Sequence, residues 1–236
     1  FIDDKKGISP NTKLIIQIIL TFLFILIFKD EILSNDLKFS FLNFKIYLNN
    51  YEVLFYTICV VIFINSLNMF DGIDGQVGLY SLFLLNIILL LIGINDLIFF
   101  LLIGIITFLY LNFKKMCFLG DNGTLLLGFI FSFFIIKLYN QNIIFHADKI
   151  FLIMVIPGLD MLRLFTERLS NKKNPFKGDS NHIHHLLQAR FGYYKSLIYV
   201  QILIVIPVIA SFYYNLLLIN FISILIYFLT ITVLKS

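Results

Sequence analysis

Eight apolar segments divide the chain, at roughly 14–28, 53–70, 77–94, 97–113, 124–139, 150–164, 197–214 and 216–234. Each is long enough, or nearly so, to cross about 30 Å of hydrocarbon as a helix. A backbone in lipid must satisfy its own hydrogen bonds, so runs of this kind read as helices. The expected fold class is all-α, a polytopic transmembrane helix bundle with about eight spans in this chain. A mean hydropathy of +0.94 and 60% hydrophobic residues exclude an ordinary soluble domain, which is nearer half apolar. The first and sixth segments are short, and Lys13 and Lys29 can snorkel to lengthen the first. Splitting 77–113 into two helices rests on the turn "GIND".

Eight spans put 71–76, 114–123, 165–196 and both chain ends on one side of the bilayer. By that parity 13 of the 18 Lys and Arg fall on this side, which the positive-inside rule makes cytoplasmic. The unusual polar clusters land there too: "DDKK" at 3–6, "NSLNMFDGIDG" at 65–75, "FLGDNGT" at 118–124, and the stretch from 157 to 187. On the other side, "DLKFSFLNFKIYL" in the 29–52 loop predicts a short hairpin or an irregular loop. Cys59 and Cys117 form no CxxC pattern and read as inert thiols. The chain opens on Phe1 rather than Met, and its first residues read as mid-protein, so we expect an upstream part to be missing.

The clusters carry the chemistry. Asn65 and Asn68, three apart, share a helix face, and Asp71 follows it. Gly72 and Gly75 bracket Asp74 in a turn. Grouped carboxylate and amide oxygens suit Mg²⁺, which keeps waters and substrate phosphates; a helix cap with a solvated turn is the plain alternative. Asp121 lies between Gly120 and Gly123 at the entry to a helix, where it can hold a cation, or simply cap the helix. Asp3 and Asp4 form an acidic pair that can bind metal, accept a proton or cap. His182, His184 and His185 fall within four residues. Zinc is one reading; contact with an anionic ligand is another, favoured by Arg163, Arg168, Lys172, Lys173 and Lys177 upstream.

Four elements in order, "DDKKGISPNTKL", "NSLNMFDGIDG", "FLGDNGTLLLG" and "PGLDMLRLFTERLSNKKNPFKGDSNHIHHLL", resemble the polyprenyl-phosphate N-acetylhexosamine-1-phosphate transferases. The resemblance covers essentially all of the chain. It implies a single integral membrane transferase domain over 1–236, cut from a fold of ten or eleven spans and lacking about three N-terminal helices. It implies transfer of sugar-1-phosphate from a UDP-N-acetylamino sugar to undecaprenyl phosphate at the cytoplasmic face of a bacterial inner membrane, with release of UMP. It also implies Mg²⁺, replaceable by Mn²⁺, a homodimer, and no nucleic-acid partner.

By the same resemblance Asn68 and Asp121 hold the metal, and Asp3 and Asp4 face the lipid phosphate. Lys13 lies near the diphosphate and Asp71 near the chemistry. Asp74 reads the uracil edge, Phe118 stacks on the ring, and His182, His184, His185 and Arg163 serve the sugar and phosphate end. Direct attack by the lipid phosphate is favoured over a covalent route through Asp3 or Asp4. "NHIHHLL" resembles the branch that starts O-antigen, common-antigen or teichoic-acid linkage units, which makes UDP-GlcNAc the first donor to test. The branch that moves phospho-MurNAc-pentapeptide is the alternative. Two rivals fit less well. A CDP-alcohol phosphotransferase needs an Arg soon after its DG, and "DGIDGQVGLYS" has none. A transporter for an anionic substrate needs a polar path to both faces, whereas the polar residues here sit at one end.

Overall fold

The computed structural model describes residues 9–172 and 181–235. It is a bundle of helices: α1 (Pro10–Ile27), α2 (Lys29–Ile32), α3 (Glu52–Phe70), α4 (Gln76–Ile92), α5 (Asp96–Phe113), α6 (Gly120–Asn140), α7 (Ala147–Ser170), α8 (Ile183–Phe191), α9 (Tyr193–Ala210) and α10 (Leu216–Lys235). Each expected apolar segment is helical. Six helical stretches among the described residues are long and apolar enough to cross a membrane, so this is a multi-pass membrane protein. α4 is equally apolar but has 17 residues.

The turn at "GIND" is real. Gly93 takes φ +76° and closes α4, and the Asn95 side chain accepts from the Ile98 N–H at 3.0 Å to open α5. Two of the expected segments moved most. The sixth segment, expected at 150–164, continues to Ser170. Charges ended the apolar run, but Asp160, Arg163 and Glu167 pair along one helix face, with Arg163 2.8 Å from Asp160 and 3.1 Å from Glu167. The seventh, expected from 197 to 214, begins at Tyr193 behind Gly192 (φ +81°) and ends at Ala210. The expected loop at 165–196 therefore holds the end of α7, the whole of α8 and the start of α9.

α3 is the central helix, packed on α1, α6 and α7. Gly128 lets α6 close on it, since a Cβ there would stand 3.0 Å from the Ile64 Cα. The main core gathers Leu67, Phe70, Tyr80, Phe131, Leu152 and Tyr227. α1 buries only Thr21 and Ile25, and most of its apolar surface is exposed. The hairpin is present in minimal form, with antiparallel β1 (Asp36–Leu37) and β2 (Ile46–Tyr47) registered as Asp36↔Tyr47 and Leu37↔Ile46.

Hydrogen bonds show that the loops sort to two ends. Lys13 with Asp121, and Tyr193 with Asp74, join segments at one end. Lys38 with Tyr139, and Ser40 with Asp148, join segments at the other.

Candidate active site

The α3–α4 turn is the first wall of the site. Phe70 is buried beneath it and the Asp71 N–H donates to the Asn68 carbonyl at 3.2 Å. Gly75 adopts φ +80°, the left-handed region that favours glycine. Its N–H donates to Asn112 Oδ1 at 2.5 Å, and Asn112 Nδ2 donates to the Cys117 carbonyl at 2.9 Å and approaches Asp74 Oδ1 at 3.5 Å. The Tyr193 hydroxyl donates to the Asp74 carbonyl at 2.9 Å. Asn112 and Tyr193 thus fix Asp74 from α5 and α9, and neither carries a motif that marks it in the sequence.

The entry to α6 is the second wall. Asp121 lies in its first turn with 51% of its side chain exposed. Lys13 Nζ approaches Asp121 Oδ2 at 2.8 Å, and Asn68 Nδ2 lies 3.5 Å from Oδ1. Between the walls is a cleft of about 280 Å³ lined by Asn68, Asp71, Asp74, Asn112, Phe118 and Asp121 among others. Phe118 stands in it with 84% of its surface exposed.

The electrostatics of this cleft suit a cation. Burial, then the Asp74 and Asp121 carboxylates, push the Asp71 carboxyl up to about 6. Among the described residues, three carboxylates, Asp71, Asp74 and Asp121, line this one small cleft. No three His, Cys, Asp or Glu side chains close on a common point among the described residues. The donors therefore fit a hard ion held by a few protein oxygens together with substrate phosphate and water, as Mg²⁺ is usually held. Asn68 and Asp121, both on the cleft lining, carry oxygens of that kind. One consequence is testable. Asp71 takes up a proton as pH falls through about 6, and a bound cation opposes that uptake. Mg²⁺ titrated calorimetrically at pH ~6, in buffers of different ionisation enthalpy, should release protons, and Asp71→Asn should abolish the release. Cation binding without proton release would separate Asp71 from the ion.

The third wall is the histidine segment. Asp160 organises it: Oδ2 lies 2.8 Å from His182 Nδ1, while Oδ1 accepts from Arg163 at 2.8 Å and from the Tyr227 hydroxyl at 2.9 Å. The Ile183 N–H also points at this carboxylate, 3.2 Å from Oδ1. Arg163 donates further to the Asn181 carbonyl at 2.7 Å. The buried ion pair therefore ties α7, α8 and α10 together. His184 is wholly enclosed, stacked on His182 at 5.3 Å between ring centroids and tilted against His185 at 4.3 Å. Gln76 Nε2 lies 3.4 Å from its Nδ1, and Nε2 lies against Gly72. Burial, then His185 and His182, hold its pKa down at about 3, so the ring is neutral near neutral pH. His182 reaches a separate cavity, described next.

That cavity, about 620 Å³, runs between α1, α3, α6 and α7. Its walls are mainly apolar, with Leu14, Val61, Ile62, Leu125, Leu162 and Phe165 among them. Its polar end holds Lys13, Asn68, Asp121, Arg168 and His182. Asn65 donates to Gln17 Oε1 at 2.9 Å across it. Asn68 and Asp121 line both this groove and the acidic cleft. Asp3 and Asp4, and Lys173 and Lys177, lie outside the described residues. Of the other expected site residues, Lys13, Asn68, Asp71, Asp74, Phe118 and Asp121 gather at the cleft. Arg163, His182, His184 and His185 form the adjoining wall. Asp160 and Tyr227 were not anticipated. Asp160 sits inside the quoted "PGLDMLRLFTERL", but its role depends on Tyr227, which is distant in sequence.

The family model described as glycosyl transferase family 4 matches residues 1–139. The chain is similar to the undecaprenyl-phosphate alpha-N-acetylglucosaminyl 1-phosphate transferase of Thermotoga maritima, 32% identical over 146 residues, 61% of this chain and 46% of that protein. It is similar to the probable undecaprenyl-phosphate N-acetylglucosaminyl 1-phosphate transferase of Bacillus subtilis, 29% identical over 204 residues, 81% of this chain and 54% of that protein. With an undecaprenyl-phosphate alpha-N-acetylglucosaminyl 1-phosphate transferase of Escherichia coli it shares 27% over 222 residues, 89% of this chain and 60% of that protein. The chain spans about half the length of the curated relatives it matches.

Proposed function

Because the chain belongs to glycosyl transferase family 4, we propose that it transfers an N-acetylamino-sugar 1-phosphate from a UDP-sugar to undecaprenyl phosphate, with release of UMP. The observation that carries this reading is the shared edge of the two cavities. An apolar groove suited to a polyprenyl chain and an acidic cleft suited to a cation-bound diphosphate meet at Asn68 and Asp121. A lipid phosphate at the end of the groove and a diphosphate in the cleft would therefore come within reacting distance. The names of the relatives point to the same acceptor.

When bound, Mg²⁺ would neutralise phosphate charge between Asn68 and Asp121. Lys13, now paired with Asp121, would supply a further positive charge to the same phosphates. Asp74, fixed by Asn112 and Tyr193, would accept from the uracil N–H, and the exposed Phe118 ring would stack on the base. Arg163 and the histidines would serve the sugar-phosphate end, with Asp160 holding His182 in place. An oxygen of the lipid phosphate would attack the β-phosphorus in line. The bond from that phosphorus to the bridging oxygen breaks, UMP leaves, and a lipid-diphosphate-sugar forms. The acceptor is already anionic, so positioning and charge neutralisation carry most of the work. UDP-GlcNAc is the first donor to test; the related N-acetylated fucosamine and quinovosamine nucleotides follow. The excess of basic residues at the site end supports a cytoplasm-facing site in a bacterial inner membrane.

The test is UMP release by the full-length protein in membranes supplied with undecaprenyl phosphate, Mg²⁺ and a panel of UDP-N-acetylamino sugars. Release with one sugar, dependent on lipid, stopped by EDTA and restored by Mg²⁺ or Mn²⁺, is expected. Release without lipid, or no release from folded protein with any sugar, would overturn the reading. Restoration by Zn²⁺ alone would move the metal from Asp121 to the histidines.

A further inference from the structure

At the end of the bundle opposite the candidate site, residues 39–47 form a tip that exposes apolar rings. Phe41, Phe44 and Tyr47 show 49%, 64% and 65% of their surface, a pattern a water-facing loop has no reason to keep. The tip is rigidly mounted. The Lys38 N–H donates to the Tyr139 hydroxyl at 2.7 Å, the Ala147 N–H donates to the Lys38 carbonyl at 2.8 Å, and the Ser40 N–H donates to Asp148 Oδ1 at 3.1 Å. These bonds fix it to the C-terminal end of α6 and the first turn of α7. Its charges are already engaged: Lys45 lies 2.8 Å from Asp36, and Lys38 Nζ 2.6 Å from Asn142 Oδ1.

The neighbouring α9–α10 turn has the same character. Phe212, Tyr213 and Tyr214 are exposed there, and Lys149 sits 3.8 Å over the Phe212 ring. α7 links the two surfaces, since Asp148 binds the hairpin at Ser40 and Lys149 covers Phe212. Aromatic rings interleaved with Lys at one level are the composition of a membrane–water interface. Depth is limited from the other direction. The strands pair only two residues each, so backbone groups in the tip need water or headgroup partners and would be costly in hydrocarbon.

We propose that this tip rests in the phospholipid headgroup region of the leaflet opposite the candidate site, with lipid as the occupant of its aromatic face. Residues 1–236 contain no Trp, which makes an introduced one easy to read. The full-length protein carrying Phe44→Trp is reconstituted in phosphatidylcholine vesicles, and its emission is taken as a difference from the unsubstituted protein. Lipid brominated near the glycerol end of the acyl chain should quench the added emitter more than lipid brominated near the chain terminus, and iodide should quench it weakly. Strong iodide quenching without lipid quenching would make the tip a water-facing loop. Shielding from both quenchers would mean that protein covers it, either another segment or a second copy. Both results overturn the proposal. If Phe44→Trp does not fold, Phe41→Trp, also exposed at the tip, gives the same reading.

Discussion

Replacing Asp121 with Ala should lower the rate of UMP release by on the order of 10³-fold while the protein still inserts and folds. The side chain is half exposed in the first turn of α6, so its removal opens no core cavity. The turn keeps the Thr124 hydroxyl, which donates to the Asp121 carbonyl at 3.0 Å. What disappears is an oxygen at the point where the groove and the cleft meet. Two roles compete for that oxygen: a cation ligand, or the partner of Lys13 at 2.8 Å. An exposed ion pair contributes only about 0–1 kcal/mol to stability, so loss of the pair should leave the protein folded and the effect should appear in the rate. A charge exchange tests the second role. Lys13→Asp combined with Asp121→Lys keeps an ion pair but puts an ammonium where a cation should bind. The exchanged protein should be folded and inactive. Recovery of UMP release in it would show that Asp121 serves Lys13 and not a metal.

The parts of the fold that were legible in the sequence are those the bilayer enforces. Apolar runs of fixed length had to be helices, and parity with basic-residue bias assigned the polar clusters to one end, where the structure brings the described ones, around Asn68, Asp121 and His182, together. Boundaries were less legible because hydropathy reports burial in lipid and not helicity. α7 leaves the apolar register near Arg163, yet continues because Asp160, Arg163 and Glu167 satisfy one another along its face. The site shows the same division. Motif residues such as Asn68, Asp74 and Asp121 stood out as polar groups in an apolar chain. Asn112, Asp160 and Tyr227 act through partners tens of residues away, and no local spacing reveals such partners. The enclosure of His184 was equally invisible: residue type groups it with His182 and His185, while its surroundings are set by Gly72, over a hundred positions earlier.

That contact carries the second large effect. Gly72→Ala should destabilise the protein by about 1–3 kcal/mol, as overpacking of a filled site does, and lower UMP release by roughly 10²-fold. A Cβ at position 72 would stand 1.8 Å from His184 Nε2. The imidazole has no easy retreat, because His182 stacks on one side at 5.3 Å, His185 tilts against it at 4.3 Å, and the Phe70 ring meets it edge-on at 6.1 Å. One of two things must give. Either the turn carrying Asp71 and Asp74 lifts away, or the histidine wall moves back along α8. Both separate the acidic cleft from the histidine wall, and displacement of about an ångström is enough for a loss of that order. His184→Ala alone should also destabilise, by leaving a cavity. Combined, the two changes should compensate, because the added methyl enters space the ring has vacated; a coupling of about 0.5–3 kcal/mol in thermal or denaturant unfolding is expected. Rate then separates packing from chemistry. If His184 holds the turn in place, the double variant regains part of the UMP release that Gly72→Ala loses. A double variant that is stable yet as inactive as His184→Ala would assign the imidazole a direct part in the reaction.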